Sequence, residues 1–216
     1  MKSESKHLRI NEAKWDKWAA SLDSNGWIGR RLRQAQEDVV SLLDIKEGTS
    51  FLDIGCGTGW AVGRAAELAA YRGLFYGVDL SSRMVEKAEG NFKGNDAVRF
   101  IRSDVESIPL EEGFFDMVIC TNSFHHYLHP DRVLREVRRL LKYNGRFYLL
   151  DPAADNWFMK LVDLLGKLLE PAHVKLYSTE ELQKLFNDTG LKYSVSEVSR
   201  TARKCQKVHV GEKIHQ

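Results

Sequence analysis

The sequence predicts an α/β protein with a Rossmann-like, mostly parallel seven-stranded sheet, a C-terminal antiparallel hairpin and helices on both faces. Three observations carry the prediction. First, five short β-rich runs alternate with helical patterns between residues 49 and 151, and such alternation implies parallel strands joined by helical crossovers. Second, FLDIGCGTGW, Phe51 to Trp60, packs three glycines into five residues where the first strand hands over to a helix. Third, LKYSVSEVSR and KCQKVHVGEKI lie near the end of the chain, joined by the short connection TA. They read as two antiparallel strands.

The elements follow in order. Trp15, Trp18, Ala19 and Leu22 fall at helical spacing, and SNG at 24–26 breaks the pattern. Ile28, Leu32, Ala35, Val39 and Leu42 then mark an amphipathic helix, because one face recurs every three to four residues. After the turn KEGTS come the strand candidates TSFLDI (49–54), LFYGVD (74–79), AVRFI (97–101), FFDMVIC (114–120) and GRFYLLD (145–151). Helical patterns lie near 59–71, 82–91 and 130–142. In the last, Pro130 suits a first turn, and Val133, Val137, Leu140 and Leu141 share a face. Residues 152–177 carry no strand signal. Phe158, Leu161, Val162, Leu165, Leu168 and Leu169 share one helical face there, opposite Lys160, Asp163 and Lys167. STEE at 178–181 reads as a capping box of Ser178 and Glu181, and its helix should stop at Gly190. The expected organisation is a single domain over 1–216, with N-terminal helices (1–44), a core (49–151), an insertion (153–176) and a last helix with the hairpin (178–216).

Composition narrows the class. Hydrophobic residues make up 43% and charged residues 29% of 216, ordinary for a globular protein. A net charge of +2 is too small to argue for a nucleic-acid surface. Cys56, Cys120 and Cys205 form no C-x-x-C pair and no disulfide framework. The first fifteen residues hold no apolar signal core, and no run approaches the ~18 apolar residues that span a bilayer. The expected compartment is the cytoplasm.

The glycine loop limits the ligand. Glycine-rich turns between strand and helix let a ligand meet the backbone. The dinucleotide fingerprint is G-x-G-x-x-G, but here the spacing is G-x-G-x-G and Trp60 stands at the third fingerprint position. No Walker lysine follows. The loop therefore suits a nucleoside without phosphates. Asp79 closes the second strand and Asp104 follows the third. Acids at successive strand ends can take ribose hydroxyls and a base.

At these residues the chain resembles the class I S-adenosylmethionine-dependent methyltransferases. LDIGCGTG is similar to their first motif, FYGVDLS to their ribose-binding strand end, RSDVESIPLEEGFFDMVIC to the segment from the adenine-binding acid to the fourth strand, and RVLREVRRLLKYNGRFYLLDP to the helix and strand that follow. KYNG at 142–145 departs from the usual Pro-Gly of that turn. The likeness is strongest to the small-molecule subgroup that includes quinone-biosynthesis enzymes. It implies strand order 3-2-1-4-5-7-6 and S-adenosyl-L-methionine as cofactor, with S-adenosyl-L-homocysteine as product. It further implies that Gly55, Gly57 and Gly59, with Cys56 among them, face the methionine part and that Asp53 holds its ammonium. Asp79, beside Leu80, would take the ribose hydroxyls. Asp104 and Val105 would meet the adenine, and Thr121 would join the cofactor site.

The loop TNSFHHYLHP after the fourth strand would point at the transferred methyl. His125 and His126 are the candidate bases, since imidazole titrates near neutral pH. Asn122 and Tyr127 could orient an acceptor. His125 and His129 stand four apart, but Pro130 interrupts a continuous helix and no carboxylate completes a metal set, so no metal is expected. The acceptor is expected to be a small, partly apolar molecule and not a nucleic acid. RNA or protein acceptors and a non-catalytic cofactor-binding role are the alternatives. Residues 153–176 and the tryptophans Trp15, Trp18 and Trp27 are expected to roof the acceptor pocket as a lid, while packing of the 158–169 helix on the sheet's flank is the alternative. A membrane-surface helix is disfavoured, because Asp163 and Glu170 offset Lys160 and Lys167.

Overall fold

The computed structural model describes residues 2–22, 26–196 and 206–215. The strands are β1 (Ser50–Ile54), β2 (Leu74–Asp79), β3 (Val98–Arg102), β4 (Phe115–Thr121), β5 (Leu141–Pro152), β6 (Lys192–Ser196) and β7 (Gln206–Glu212). They form one sheet in the order β3-β2-β1-β4-β5-β7-β6. β1 to β5 run parallel, and β7 is antiparallel to both β5 and β6. The Rossmann-like class, the order and the terminal hairpin all hold. The expected TA connection lies outside the described residues.

The helices are α1 (Lys2–Leu22), α2 (Trp27–Val40), α3 (Trp60–Leu68), α4 (Ser82–Asn91), α5 (Pro130–Leu140), α6 (Trp157–Leu169) and α7 (Thr179–Asp188). One core, rich in β1, β4 and β5 side chains, takes Val133, Leu134, Val137 and Leu140 of α5 and Leu182 and Phe186 of α7. The other packs Val39 and Val40 of α2 and Val62, Ala65 and Ala66 of α3 on the opposite face. The β1 residues are buried along their whole length, as a strand covered on both sides requires. The capping box forms: Ser178 Oγ accepts from Glu181 N at 3.2 Å, and Glu181 Oε2 accepts from Ser178 N at 2.9 Å.

Three elements depart from expectation. β5 begins at Leu141, directly after α5, because Leu141 already pairs with Phe115. α1 starts at Lys2, well ahead of the tryptophan pattern. Its anchors are long-range and polar: Arg102 reaches Glu12 at 2.5 Å, Ser81 Oγ donates to Asp16 at 2.5 Å, and Lys87 donates to the Ala19 carbonyl at 2.8 Å. The third is α6, which has no buried residue. It does not pack on the sheet's flank. Its polar side turns inward instead: Asp163 accepts from Leu176 N at 2.7 Å and lies 2.9 Å from His173 Nε2.

Candidate active site

The carboxyl ends of β1, β2, β3 and β4 open on a cavity of about 630 Å³, where an open α/β sheet binds its ligands. The loop after β1 forms its floor. Gly55, Gly57 and Gly59 have φ of +73°, +53° and +83°, a region that non-glycine residues rarely adopt. Their steric roles differ. A Cβ on Gly55 would lie 2.5 Å from Ser123 Oγ and 2.9 Å from Tyr127 Oη, whereas one on Gly57 would meet only open space. One on Gly59 would strike Phe100 of β3 at 2.5 Å. Gly59 thus serves helix–strand packing, the task of the third glycine in a dinucleotide loop, and Trp60 is left to line the cavity.

Asp79 ends β2 at the loop. Its Oδ2 accepts from Gly57 N and its Oδ1 from Ser81 N, both at 2.9 Å. Burial raises its pKa, and the amides of Ser81 and Gly57 oppose the rise. The Leu80 amide bears on it as well, and the carboxylate keeps acceptor capacity for a ligand hydroxyl. Asp104 lines the cavity beside Val105 and Glu106, fixed by a 3.0 Å bond from Glu106 N to its Oδ1. Thr121 also lines it, with its buried hydroxyl unpartnered. Asp53 lies below the loop, fully buried, with neither carboxylate oxygen bonded. Burial first, and then the charge of Asp79, hold its pKa well above the usual carboxylate range. Buried polar groups are normally satisfied, so this orphan carboxylate fits a site that awaits a cationic ligand group. Gly57 offers a cradle that a Cβ would fill, and Asp79 offers oxygens for a diol. These features together fit a nucleoside bearing a cationic amino-acid arm.

Beyond this floor the wall belongs to α1 and α2, through His7, Leu8, Asn11, Trp15, Leu32, Arg33 and Gln36. Gly55, Cys56, Gly57, Asp79, Leu80, Asp104, Val105, Thr121, Asn122, His126, Tyr127 and Trp15 line the cavity; Gly59, Asp53, Trp18 and His125 stand off it. Trp18 packs edge-on against Trp15, with ring centroids 6.2 Å apart, and Trp27 is 62% exposed. No side chain of 153–176 lines the cavity. The roof expected of that segment comes from α1 and α2, because the apolar face of α6 points away from the protein.

The two histidines differ. His125 Nδ1 lies 2.8 Å from Asp151 Oδ1, and its backbone N donates to Asp151 Oδ2 at 2.8 Å. That pairing ties the ring to β5 and away from the cavity. His126 Nδ1 lies 2.8 Å from the Ala172 carbonyl. A carbonyl only accepts, so Nδ1 carries the proton and Nε2 keeps the lone pair. Burial, more than its neighbours, lowers His126 to about 2, which keeps the ring neutral. Tyr127 Oη lies 3.0 Å from Ser123 Oγ, which is 3.1 Å from Cys120 Sγ. Burial also lifts the Tyr127 phenol well above its ordinary value. Ser123, His7 and Asn11 escaped sequence reasoning. Only Ser123, inside the TNSFHHYLHP loop, stood near a motif.

The comparisons with known proteins now bear on this geometry. Residues 52–149 match the methyltransferase domain family. An uncharacterized methyltransferase of Bacillus subtilis, YcgJ, is 36% identical over 146 residues, 66% of this chain and 56% of that protein. Its crystal structure superposes with a TM-score of 0.71 at 25% identity, covering 84% of this chain and 99% of that one. The chain carries a methyltransferase domain over residues 52–149 and resembles the class I S-adenosylmethionine-dependent methyltransferases. The chain is also 27% identical over 213 residues to the demethylmenaquinone methyltransferase of Geobacillus kaustophilus, covering 87% of this chain and 90% of that one. A SAM-dependent methyltransferase from Aquifex aeolicus shares its fold, with a TM-score of 0.71 at 23% identity over 92% of this chain and 98% of that one. The chain spans little more than half the length of the curated YcgJ protein.

Proposed function

We propose that the protein binds S-adenosylmethionine and transfers its methyl group to a small, partly apolar acceptor. One observation carries the reading: a single cavity joins the glycine loop to an apolar wall of Leu8, Trp15 and Leu32. Its volume of about 630 Å³ suits small molecules, whose sites span roughly 300–1,000 Å³. When bound, the cofactor supplies a methyl already activated for in-line displacement. The residues have separable tasks. Asp53, behind the glycine loop and off the cavity, meets the ammonium of the amino-acid arm through a water, Asp79 takes the ribose hydroxyls, and Asp104 with Val105 takes the adenine. Trp15 and Leu32 exclude water beside the acceptor, and holding the partners in line can supply ~7–11 kcal/mol.

His126 offers Nε2 as a hydrogen-bond acceptor on a fixed, neutral ring. Its lowered pKa suits it to orient an acceptor hydroxyl better than to carry away its proton. His125, clamped by Asp151, holds the loop behind it, and Asn122 and Tyr127 border the same space. The likeness to a demethylmenaquinone methyltransferase supports a small, partly apolar acceptor. The test is incubation of the protein with methyl-labelled cofactor and cell extract, followed by fractionation. Label should enter the organic-soluble, low-mass fraction in a protein-dependent way. Label confined to RNA or protein, or no transfer at all, would overturn the proposal.

A further inference from the structure

We propose that α6 docks the protein on an anionic lipid bilayer surface. At 100° per residue, Met159, Asp163, Gly166 and Glu170 form one line along the helix and its C-cap, and that line faces the protein. Asp163 bonds to Leu176 N and lies against His173, while Glu170 pairs with Lys14 of α1. Opposite them, Trp157, Phe158, Leu164, Leu165, Leu168 and Leu169 point outward. Trp157, Leu168 and Leu169 are 76%, 72% and 79% exposed. The helix therefore sits with its apolar face to the outside, the reverse of a surface helix folded on a core. An apolar patch this continuous marks an interaction surface.

The charges choose the occupant. Lys160 and Lys167 lie on one flank, between the protein-facing line and the apolar side. Both acids that offset them in the sequence are engaged: Asp163, its side chain 13% exposed, pairs with Lys167 at 2.6 Å as well as with His173, and Glu170 is held by Lys14. The outward surface of α6 thus carries tryptophan, phenylalanine, leucine and lysine and no free carboxylate. Aromatic and aliphatic side chains can enter the acyl boundary while flanking lysines meet anionic headgroups. The helix has 13 residues, and no helix among the described residues is long and apolar enough to cross a membrane. α6 would lie in the interface. The patch also adjoins the cavity: Ala172, just past α6, bonds to His126, and Lys14, which reaches Glu170, precedes Trp15. An apolar acceptor dissolved in the bilayer would find the mouth close by.

Co-sedimentation tests this without reading methyl transfer, so it stands whether or not the acceptor is correctly assigned. Vesicles of phosphatidylcholine alone are compared with vesicles holding about one third phosphatidylglycerol. The protein should pellet with the anionic vesicles and be released by high salt. The pair Leu164→Asp and Leu168→Asp should abolish pelleting, and Lys160→Gln with Lys167→Gln should weaken it about tenfold. All four sites are exposed, and unchanged circular dichroism would show that the variants fold. Absence of pelleting at low salt would overturn the proposal. So would pelleting that survives Leu164→Asp and Leu168→Asp, or a concentration-dependent dimer that those changes dissolve.

Discussion

At Asp79 the carboxylate already holds two backbone amides at 2.9 Å, so it presents its remaining lone pairs to a ligand in a fixed direction. Charge-assisted hydrogen bonds contribute ~1.5–3 kcal/mol each. Asp79→Ala should therefore weaken binding of S-adenosylhomocysteine at least about tenfold in calorimetry. An unchanged dissociation constant would make Asp79 only a loop brace. His126 gives a pH prediction. Its folded value, about 2, lies below the ordinary 6.5. Below pH 6.5 the unfolded chain takes up a proton that the folded ring refuses. Its share of stability is thus present above pH 6.5 and falls as pH drops from there toward 2, by up to ~1.4 kcal/mol per unit. His209, lowered to about 4 by burial, adds to the slope between 6.5 and 4. Urea melts of His126→Gln should show a shallower decline below pH 6.5 than the parent. Identical slopes would contradict the buried neutral ring. Much of this scale was legible. Asp79, Asp104 and the glycines occupy fixed distances from strand ends, and strand ends are local. His7 and Asn11 were not, because they meet the His126 carbonyl across 119 and 115 residues, and no local pattern records such a contact.

Among the elements, α1 crosses from the start of α4 to the loop after β4, with Asp16 on Ser81 at one end and His7 on the His126 carbonyl toward the other. It lines the cavity through His7, Leu8, Asn11 and Trp15, and only Asn11 and Ala19 are buried among its described side chains. That argues for α1 as the lid proposed for the N-terminal segment, since closing segments are drawn from weakly packed elements. Asp16→Ala should speed limited proteolysis within residues 2–22, and cofactor should restore protection. Equal cleavage with and without cofactor would leave α1 a fixed wall. Periodicity identified the helices well wherever one apolar face meets one core, as in α2 and α5. It identified the apolar face of α6 too, but not its direction. A hydrophobic stripe says that something covers it. Only the bonds of Asp163 to Leu176 and His173 show that the protein takes the polar side.

In the whole molecule, a parallel sheet delivers three acids and a glycine loop to one edge, and the two N-terminal helices close the space above it. The strand order followed from the family likeness, and the hairpin from two β-rich runs joined by a short connection. The acceptor wall did not, since it is assembled from segments outside the alternating core. The central claim is that this edge holds S-adenosylmethionine and not a dinucleotide, with Gly59 spent on packing against Phe100 and Asp53 left buried without a partner. Isothermal titration of the protein with S-adenosylhomocysteine and, separately, with NAD tests it most directly. The account predicts one saturating site for S-adenosylhomocysteine and no heat of binding for NAD; tight NAD binding, or no binding of S-adenosylhomocysteine, would contradict it.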